Sequence, residues 1–415
     1  MITEKISRPQ SATNPWVGLI GLVVLGITLP FVLQNEMPAY MRTLFVVLPV
    51  AFSMCFLDIF AFKAHKRIST GIDWSMCNYN IPRIATKLIG LGFIFCVLAA
   101  LYLTFPIYQT NSYANFWNAL LLMAPYLMVA AVAYVIILDG VMSEPEDAYY
   151  ALGNIVLLKR DKANYALLAP LARSWLIKGY FIPAMFSFLS NNMEFLPEKI
   201  QEGLWYLDRN TLFIVALTTI YTIDLIYALI GYVFALRVID THERSSDPTM
   251  IAWVSALVCY PPFWEAIQTN FLDYEGPQKW FHLFANNEPL LITWAFAILF
   301  LIGIYTWATI SFGCRFSNLT HRGIITNGPY RFTKHPAYIS KNLSWWLVSV
   351  PFLAFPDVFE ATRHCVMLLM LNGIYFIRAR TEEKHLANDP TYRDYQAYIA
   401  EHGIFRMIKT VRNTN

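Results

Sequence analysis

Charged residues are scarce. Aspartate, glutamate, lysine and arginine make up 14% of the 415 residues, against about a quarter in soluble domains. That shortage excludes an ordinary cytosolic enzyme and a disordered chain, both of which keep a solvated, charged surface. The net charge is +3, so no basic surplus marks a nucleic-acid partner. The six cysteines, at 55, 77, 96, 259, 314 and 365, form no CxxC and no zinc-like spacing, so neither a metal centre nor a disulfide scaffold is expected. Those inside apolar runs read as small buried hydrophobes. No repeat at a period of roughly 20–50 residues divides the chain, and no low-complexity linker does.

What is present is apolar and aromatic. Hydrophobic residues reach 57% and aromatic ones 16%, and rings of this kind favour membrane interfaces. A hydrocarbon core about 30 Å thick needs roughly 20 apolar helical residues. The runs 16–33, 44–62, 88–105, 116–138, 211–236 and 290–313 meet that length. Four weaker runs are 166–189, which carries Arg173 and Lys178, 250–264, which is cut by Pro261-Pro262, and the short pair 344–356 and 361–377. The last two read as one helical hairpin. The first run is expected to be a membrane span and not a signal peptide, because no small-residue cleavage site follows it. The expected fold is all-α: a multi-pass membrane bundle of about ten transmembrane helices, within a range of about 8–11.

Lysine and arginine set the orientation. With ten spans and the N-terminus inside, the inner segments carry 24 of these residues and the outer ones 5. That bias puts both termini on the cytoplasmic side, in the cytoplasmic membrane if the source is prokaryotic. The two richest segments, 314–343 and 378–415, then lie on one face, joined by the hairpin. The chain divides into an N-terminal membrane part, 1–285, of no readable chemistry, and a part from 286 to 415 where the chemistry gathers. The polar stretch 139–165, with Glu144, Glu146 and Asp147, reads as a solvated loop or a gate.

Residues 317–342 read SNLTHRGIITNGPYRFTKHPAYISKN. Asn327-Gly328-Pro329 is a turn signal, and Tyr330, Arg331, Lys334, His335 and Tyr338 crowd around Pro336. A helix started by that proline offers outward N–H groups and a positive dipole end to an anion. After the hairpin come Arg378, Arg380, Glu382 and Glu383, then Tyr392, Tyr395 and Tyr398. The spacings Arg378–Glu382 and Arg380–Glu383 suit ion pairs on a helix face. Snorkelling arginines with intrahelical pairs are the structural reading. The chemical one has the glutamates accept from an ammonium or ribose hydroxyls while the arginines hold a carboxylate.

This pattern of Gly328-Pro-Tyr330-Arg-Phe-Thr-Lys-His335-Pro336-Ala-Tyr338, then Arg378-x-Arg380-Thr-Glu382-Glu383 and a tyrosine-rich tail, resembles the isoprenylcysteine carboxyl methyltransferase family and the related membrane phospholipid methyltransferases. The resemblance covers about 310–405. It implies S-adenosylmethionine as cofactor, bound at the cytosolic face by Gly328, Tyr330, His335, Pro336, Tyr338, Arg378, Glu382 and Glu383. It implies Arg380, Glu383 and His335 as catalytic residues and no metal. The acceptor is then lipophilic, an isoprenylcysteine-like carboxylate or a lipid headgroup, entering from the bilayer. Lys334 stands where the family usually has arginine, which keeps the charge but not the planar fork.

Methyl transfer from a sulfonium is an in-line displacement, so orientation supplies most of the catalysis. A carboxylate acceptor would be aligned by Arg378 or Arg380; an amine, thiolate or hydroxyl would need a base, His335 or a glutamate. Two other classes compete. Membrane sterol and steroid reductases share a His-Pro-x-Tyr step and would use Arg322, Arg331 and Lys334 for the 2′-phosphate of NADPH. A transporter would couple through Asp58, Asp224, Arg173 and Lys178, ionisable groups inside apolar runs. His364 reads as a core or interface histidine. Trp345 and Trp346 read as an interfacial belt, or as the lining of an acceptor tunnel. Asn318-Leu-Thr320 matches a glycosylation sequon but is expected to lie on the unmodified, cytoplasmic side.

Overall fold

Asparagine and aspartate side chains start many of the helices. Asn14, Asn80, Asp147, Asn287, Asp357 and Asp389 each accept a hydrogen bond from a backbone N–H of the first turn of the helix that follows. Prolines within the first helical turns reinforce four of these starts. The computed structural model describes residues 7–206, 209–276 and 279–406.

The helices are α1 (Pro15–Gln34), α2 (Ala39–Phe56), α3 (Ile81–Thr104), α4 (Ala114–Val141), α5 (Ala148–Val156), α6 (Leu168–Tyr206), α7 (Arg209–Val233), α8 (Met250–Leu257), α9 (Phe263–Asn270), α10 (Trp280–Leu283), α11 (Glu288–Phe312), α12 (Pro336–Ser349), α13 (Val358–Leu386) and α14 (Pro390–His402). Two strands of two residues each, β1 (Ser245–Ser246) and β2 (Thr320–His321), pair antiparallel. Among the described residues, six helical stretches are long and apolar enough to cross a membrane: Pro15–Gln34, Ala39–Ala61, Ile81–Thr104, Asn111–Val141, Arg209–Val233 and Glu288–Arg315. They coincide with the six clear apolar runs of the sequence.

The weaker runs behave differently. The 166–189 run forms the N-terminal half of α6, a 39-residue helix. The 250–264 run forms no single continuous helix: α8 and α9 have 8 residues each, about 12 Å apiece at 1.5 Å per residue. Pro261 and Pro262 break it because proline cannot donate to the preceding turn. In the hairpin α12 has 14 residues and α13 has 29, so one limb is twice the other.

The main core lies between α1, α2, α6 and α7, around Val17, Met54, Phe181, Leu189, Tyr227 and Ile230. A smaller cluster joins the broken α8–α9 region to α13 through Tyr274, Leu368, Leu371 and Tyr375. The cation-rich segments meet at one end of the bundle. There Arg315 and Arg67 reach Asp240 at 3.0 and 3.3 Å, and Arg322 and Lys178 reach Glu243 at 3.0 and 3.3 Å. Arg83 and Lys87 reach Asp139 at 2.8 and 3.0 Å. Asp147 caps α5 and lies 3.6 Å from Lys87, a structural role.

The N-terminal segment crosses the same end. Ala12 N–H donates to Ile324 O, and Thr326 donates to Ser11 and Pro9. From the other side, Tyr395 of α14 donates to Tyr330 O at 2.6 Å and His321 contacts Asp389 at 2.8 Å. Both ends of the chain therefore hold the 320–333 loop.

Candidate functional site

The loop and the α12–α13 hairpin bring the sequence motifs together. His335 precedes α12, and its Nε2 lies 2.9 Å from Glu383 Oε1 on α13. Lys334 Nζ is 2.6 Å from the same oxygen. Burial alone would raise the Glu383 carboxyl, but the hydrogen bonds and charges of His335 and Lys334 hold it down to about 2. Arg380 adds only a 3.6 Å contact and is two-thirds exposed. Three cationic or donor groups thus clamp Glu383, tying the His-Pro step to α13.

One residue earlier, Glu382 points to a different place. Its Oε2 accepts a 2.9 Å hydrogen bond from the Tyr338 hydroxyl, and the Tyr338 ring stacks on His335 with centroids 5.5 Å apart. One turn further into the bundle is Arg378, buried and donating to Asn318 Oδ1. Its guanidinium sits 5.3 Å from the Tyr338 ring, 5.8 Å from Tyr375 and 5.9 Å from Tyr260, all within cation–π range. Asn318 is oriented by the hydroxyls of Tyr232 and Tyr260, at 2.8 and 3.1 Å.

Arg378, Glu382, Tyr338, Asn318, Thr320 and His385 line one cleft of about 50 Å³. Thr320 Oγ1 is buried there without a hydrogen-bond partner. The cleft has room for a few waters and is smaller than a nucleoside.

Other expected site residues lie elsewhere. Gly328 lines a separate, mostly apolar cavity of about 300 Å³ between α1 and α11, with Trp16, Leu19 and Trp307. It adopts φ +55°, and a Cβ there would approach Ser311 Oγ to 2.1 Å, so glycine is required for the turn. Tyr330 packs edge-on against Phe312, 5.4 Å between centroids, and forms a cluster with Ile324, Tyr392 and Tyr395. Pro336 is the buried first residue of α12.

Arg380, expected to grip a carboxylate, projects from the opposite side of α13. Arg378 is the buried one of the pair. The Arg380–Glu383 pair forms at 3.6 Å, whereas Arg378 and Glu382 both face the cleft without pairing within 4 Å.

The competing site readings do not assemble. Arg173 bonds Ser246 and Lys178 bonds Glu243. Asp224 accepts from Tyr305 and Thr309 at 3.0 and 2.5 Å, and Asp58 lies in the field of Arg315 and Arg67. The four groups proposed for transport have separate partners and share no site. Of the three cations proposed for a 2′-phosphate, Arg322 is buried on Gly231 O and Glu243, Lys334 is on Glu383, and Arg331 is exposed beside Phe332.

Trp345 and Trp346 turn inward, Trp345 onto Tyr375 at 5.2 Å and Trp346 onto Asn372 at 2.9 Å. His364 is buried against Phe355, 4.0 Å between ring centres. Asn318, which lines the cleft, and Tyr260 and Tyr375, whose rings flank Arg378, carried no local sequence signal of their role. They are recruited from three distant segments.

Residues 290–388 match the model of the isoprenylcysteine carboxyl methyltransferase (ICMT) family. The matched region begins in α11 and ends just beyond α13, and it contains Gly328, His335, Tyr338, Arg378, Glu382 and Glu383. The resemblance in those motifs therefore extends over the C-terminal region, which is similar to a methyltransferase family and includes α11, a helix long and apolar enough to cross a membrane. No curated protein and no solved structure matches the chain.

Proposed function

We propose that the protein is an integral membrane S-adenosylmethionine-dependent methyltransferase acting on a lipophilic acceptor. The observation that carries this reading is the cleft in which an acid and a guanidinium, one turn apart on α13, face Tyr338 of the His-Pro helix. The donor set suits the cofactor. Glu382 has an oxygen not used by Tyr338 for an ammonium or ribose hydroxyl, and Arg378, which donates to Asn318, has further N–H groups for a carboxylate. Thr320 adds a hydroxyl without a partner.

When bound, S-adenosylmethionine supplies a sulfonium-activated methyl group. The chain's part is to orient. Tyr338 fixes the Glu382 carboxylate, and the Lys334–His335–Glu383 clamp holds the two helices at the distance the cleft needs. Ligand contacts fall on Arg378 and Glu382, while Glu383 and His335 position them and Arg380 stays outside. Gly328 and Tyr330 shape the loop behind the site.

The reading includes ten crossings with both ends cytoplasmic. Adding α6, the broken α8–α9 stretch, α12 and α13 to the six long apolar helices gives that number, and the lysine and arginine bias supports the orientation. The acceptor reaches the cleft from the bilayer between helices.

The test is methyl transfer. Membranes containing the protein, given S-adenosylmethionine labelled in its methyl group, are expected to move label into the organic-extractable fraction. Membranes with Glu382→Gln should not. Equal labelling in both, or none in either with a full lipid extract supplied, overturns the reading.

A further inference from the structure

We infer that Lys341 recognises the head of the acceptor, and that this head is acidic: a carboxylate or phosphate on a long apolar chain. The inference rests on the methyltransferase reading for the word acceptor, but not for the binding itself.

Lys341 lies three residues after Tyr338 and four before Trp345, so the three share a face of α12. Its Nζ sits among rings, 5.1 Å from the centre of Tyr305, 5.4 Å from Trp345 and 5.8 Å from Tyr375. Tyr375 also flanks Arg378, at 5.8 Å. One aromatic wall thus runs from the cleft at Arg378 and Glu382 to a second cation at Lys341.

Neither cation has a counter-ion. Among the described residues no carboxylate lies within 4.0 Å of Lys341 or Arg378, although ion pairs are common at the cation-rich end of the same bundle. The nearest candidate for Lys341, Asp224, is held by Tyr305 and Thr309. Tyr305 stands between the two, giving its hydroxyl to Asp224 and its ring to Lys341. A cation inside a helix bundle without an acid partner is costly, and in membrane proteins such groups mark substrate paths. Aromatic faces compensate only in part. The missing partner is an anion.

The segment facing Arg378 from the other side is irregular. Between α8 and α9 the chain leaves helical geometry at 258–262, bringing Tyr260 under Arg378 at 5.9 Å. Irregular backbone at membrane depth persists only where protein covers it or it borders a cavity. Trp345 and Trp264 pack beside it on the buried Leu371 in one apolar cluster, the kind of surroundings a hydrocarbon chain takes. These walls come partly from the α8–α9 stretch, outside the residues that match the family model.

The experiment uses the full-length protein in nanodiscs without cofactor. Tryptophan fluorescence follows titration with three amphiphiles of one chain length: hexadecanoate, hexadecyl phosphate and hexadecanol. Wild type is expected to bind the better acidic amphiphile at least tenfold more tightly than the alcohol. The stronger of the two acids identifies the head. Lys341→Met should lose that preference while binding hexadecanol as wild type does, and Lys341→Arg should keep it.

Equal affinity for alcohol and acids in wild type overturns the inference, as does an undiminished preference in Lys341→Met. If Lys341→Met does not fold, Lys341→Gln replaces it under the same two criteria. A parallel titration with S-adenosylmethionine separates the two claims. Its failure in wild type sinks the methyltransferase reading and leaves the acidic-amphiphile result standing.

Discussion

Replacing Arg378 by lysine keeps a positive charge in the bundle and removes a planar fork. In the structure the guanidinium donates to Asn318 Oδ1 and lies 5.3–5.9 Å from three tyrosine rings. A hydrogen bond involving a charged group is worth about 1.5–3 kcal/mol. A lysine ammonium retains part of the ring attraction but cannot present parallel N–H groups to a carboxylate. The net loss in cofactor binding should be about 1–3 kcal/mol, a factor of about 5 to 150 at about 1.4 kcal/mol per decade. Arg380 offers the internal control. It is two-thirds exposed with one contact at 3.6 Å, and exposed pairs of that kind contribute about 0–1 kcal/mol. Arg380→Lys should therefore change affinity by less than about fivefold. The assay is titration calorimetry with S-adenosylmethionine, with thermal midpoints in detergent to show that both variants are folded. A silent Arg378→Lys beside an impaired Arg380→Lys would refute the assignment of faces on α13.

Glu382→Gln should leave the fold intact, since the amide still accepts from Tyr338, yet weaken binding of the cationic cofactor by about tenfold or more, the scale of a charged hydrogen bond; equilibrium dialysis measures it. Gly328→Ala should lower stability by about 1–3 kcal/mol, because φ is +55° and Ser311 Oγ occupies the Cβ position; the thermal midpoint reports it, and the smaller Ser311→Gly partner should restore part of the loss. Glu383 sets an acid limit. Its carboxyl is held down to about 2 by His335 and Lys334, so its contribution is complete above the unfolded value near 4.3 and is lost as pH falls from there towards 2. Wild type should lose more stability across that interval than Glu383→Gln, as read by unfolding in acid-stable detergent.

Apolar length alone revealed the six long helices, because about 20 uninterrupted apolar residues have few alternatives to a membrane span. The His-Pro step and the hairpin after it were equally legible, being signalled by proline and by neighbouring residues. The choice between Arg378 and Arg380 was not. Two residues apart on a helix, they point about 200° from one another, so only one faces the cleft. Tyr260 and Asn318, more than 50 residues away in sequence, make Arg378 the one. Gly328 carried a local turn signal that was correct, while its position against Ser311 depended on how α11 packs. Lys341 reads in the sequence as one more inner-loop cation, and only the convergence of Tyr305 and Tyr375 from other helices sets it apart. The 250–264 run is not one continuous helix, because two adjacent prolines interrupt it despite its hydropathy.

The most direct measurement is to titrate the purified protein separately with S-adenosylmethionine and with NADPH. The account predicts saturable binding of S-adenosylmethionine, weakened by about tenfold or more in Glu382→Gln, and no saturable binding of NADPH. Saturable NADPH binding, or S-adenosylmethionine binding unaffected by Glu382→Gln, would contradict it.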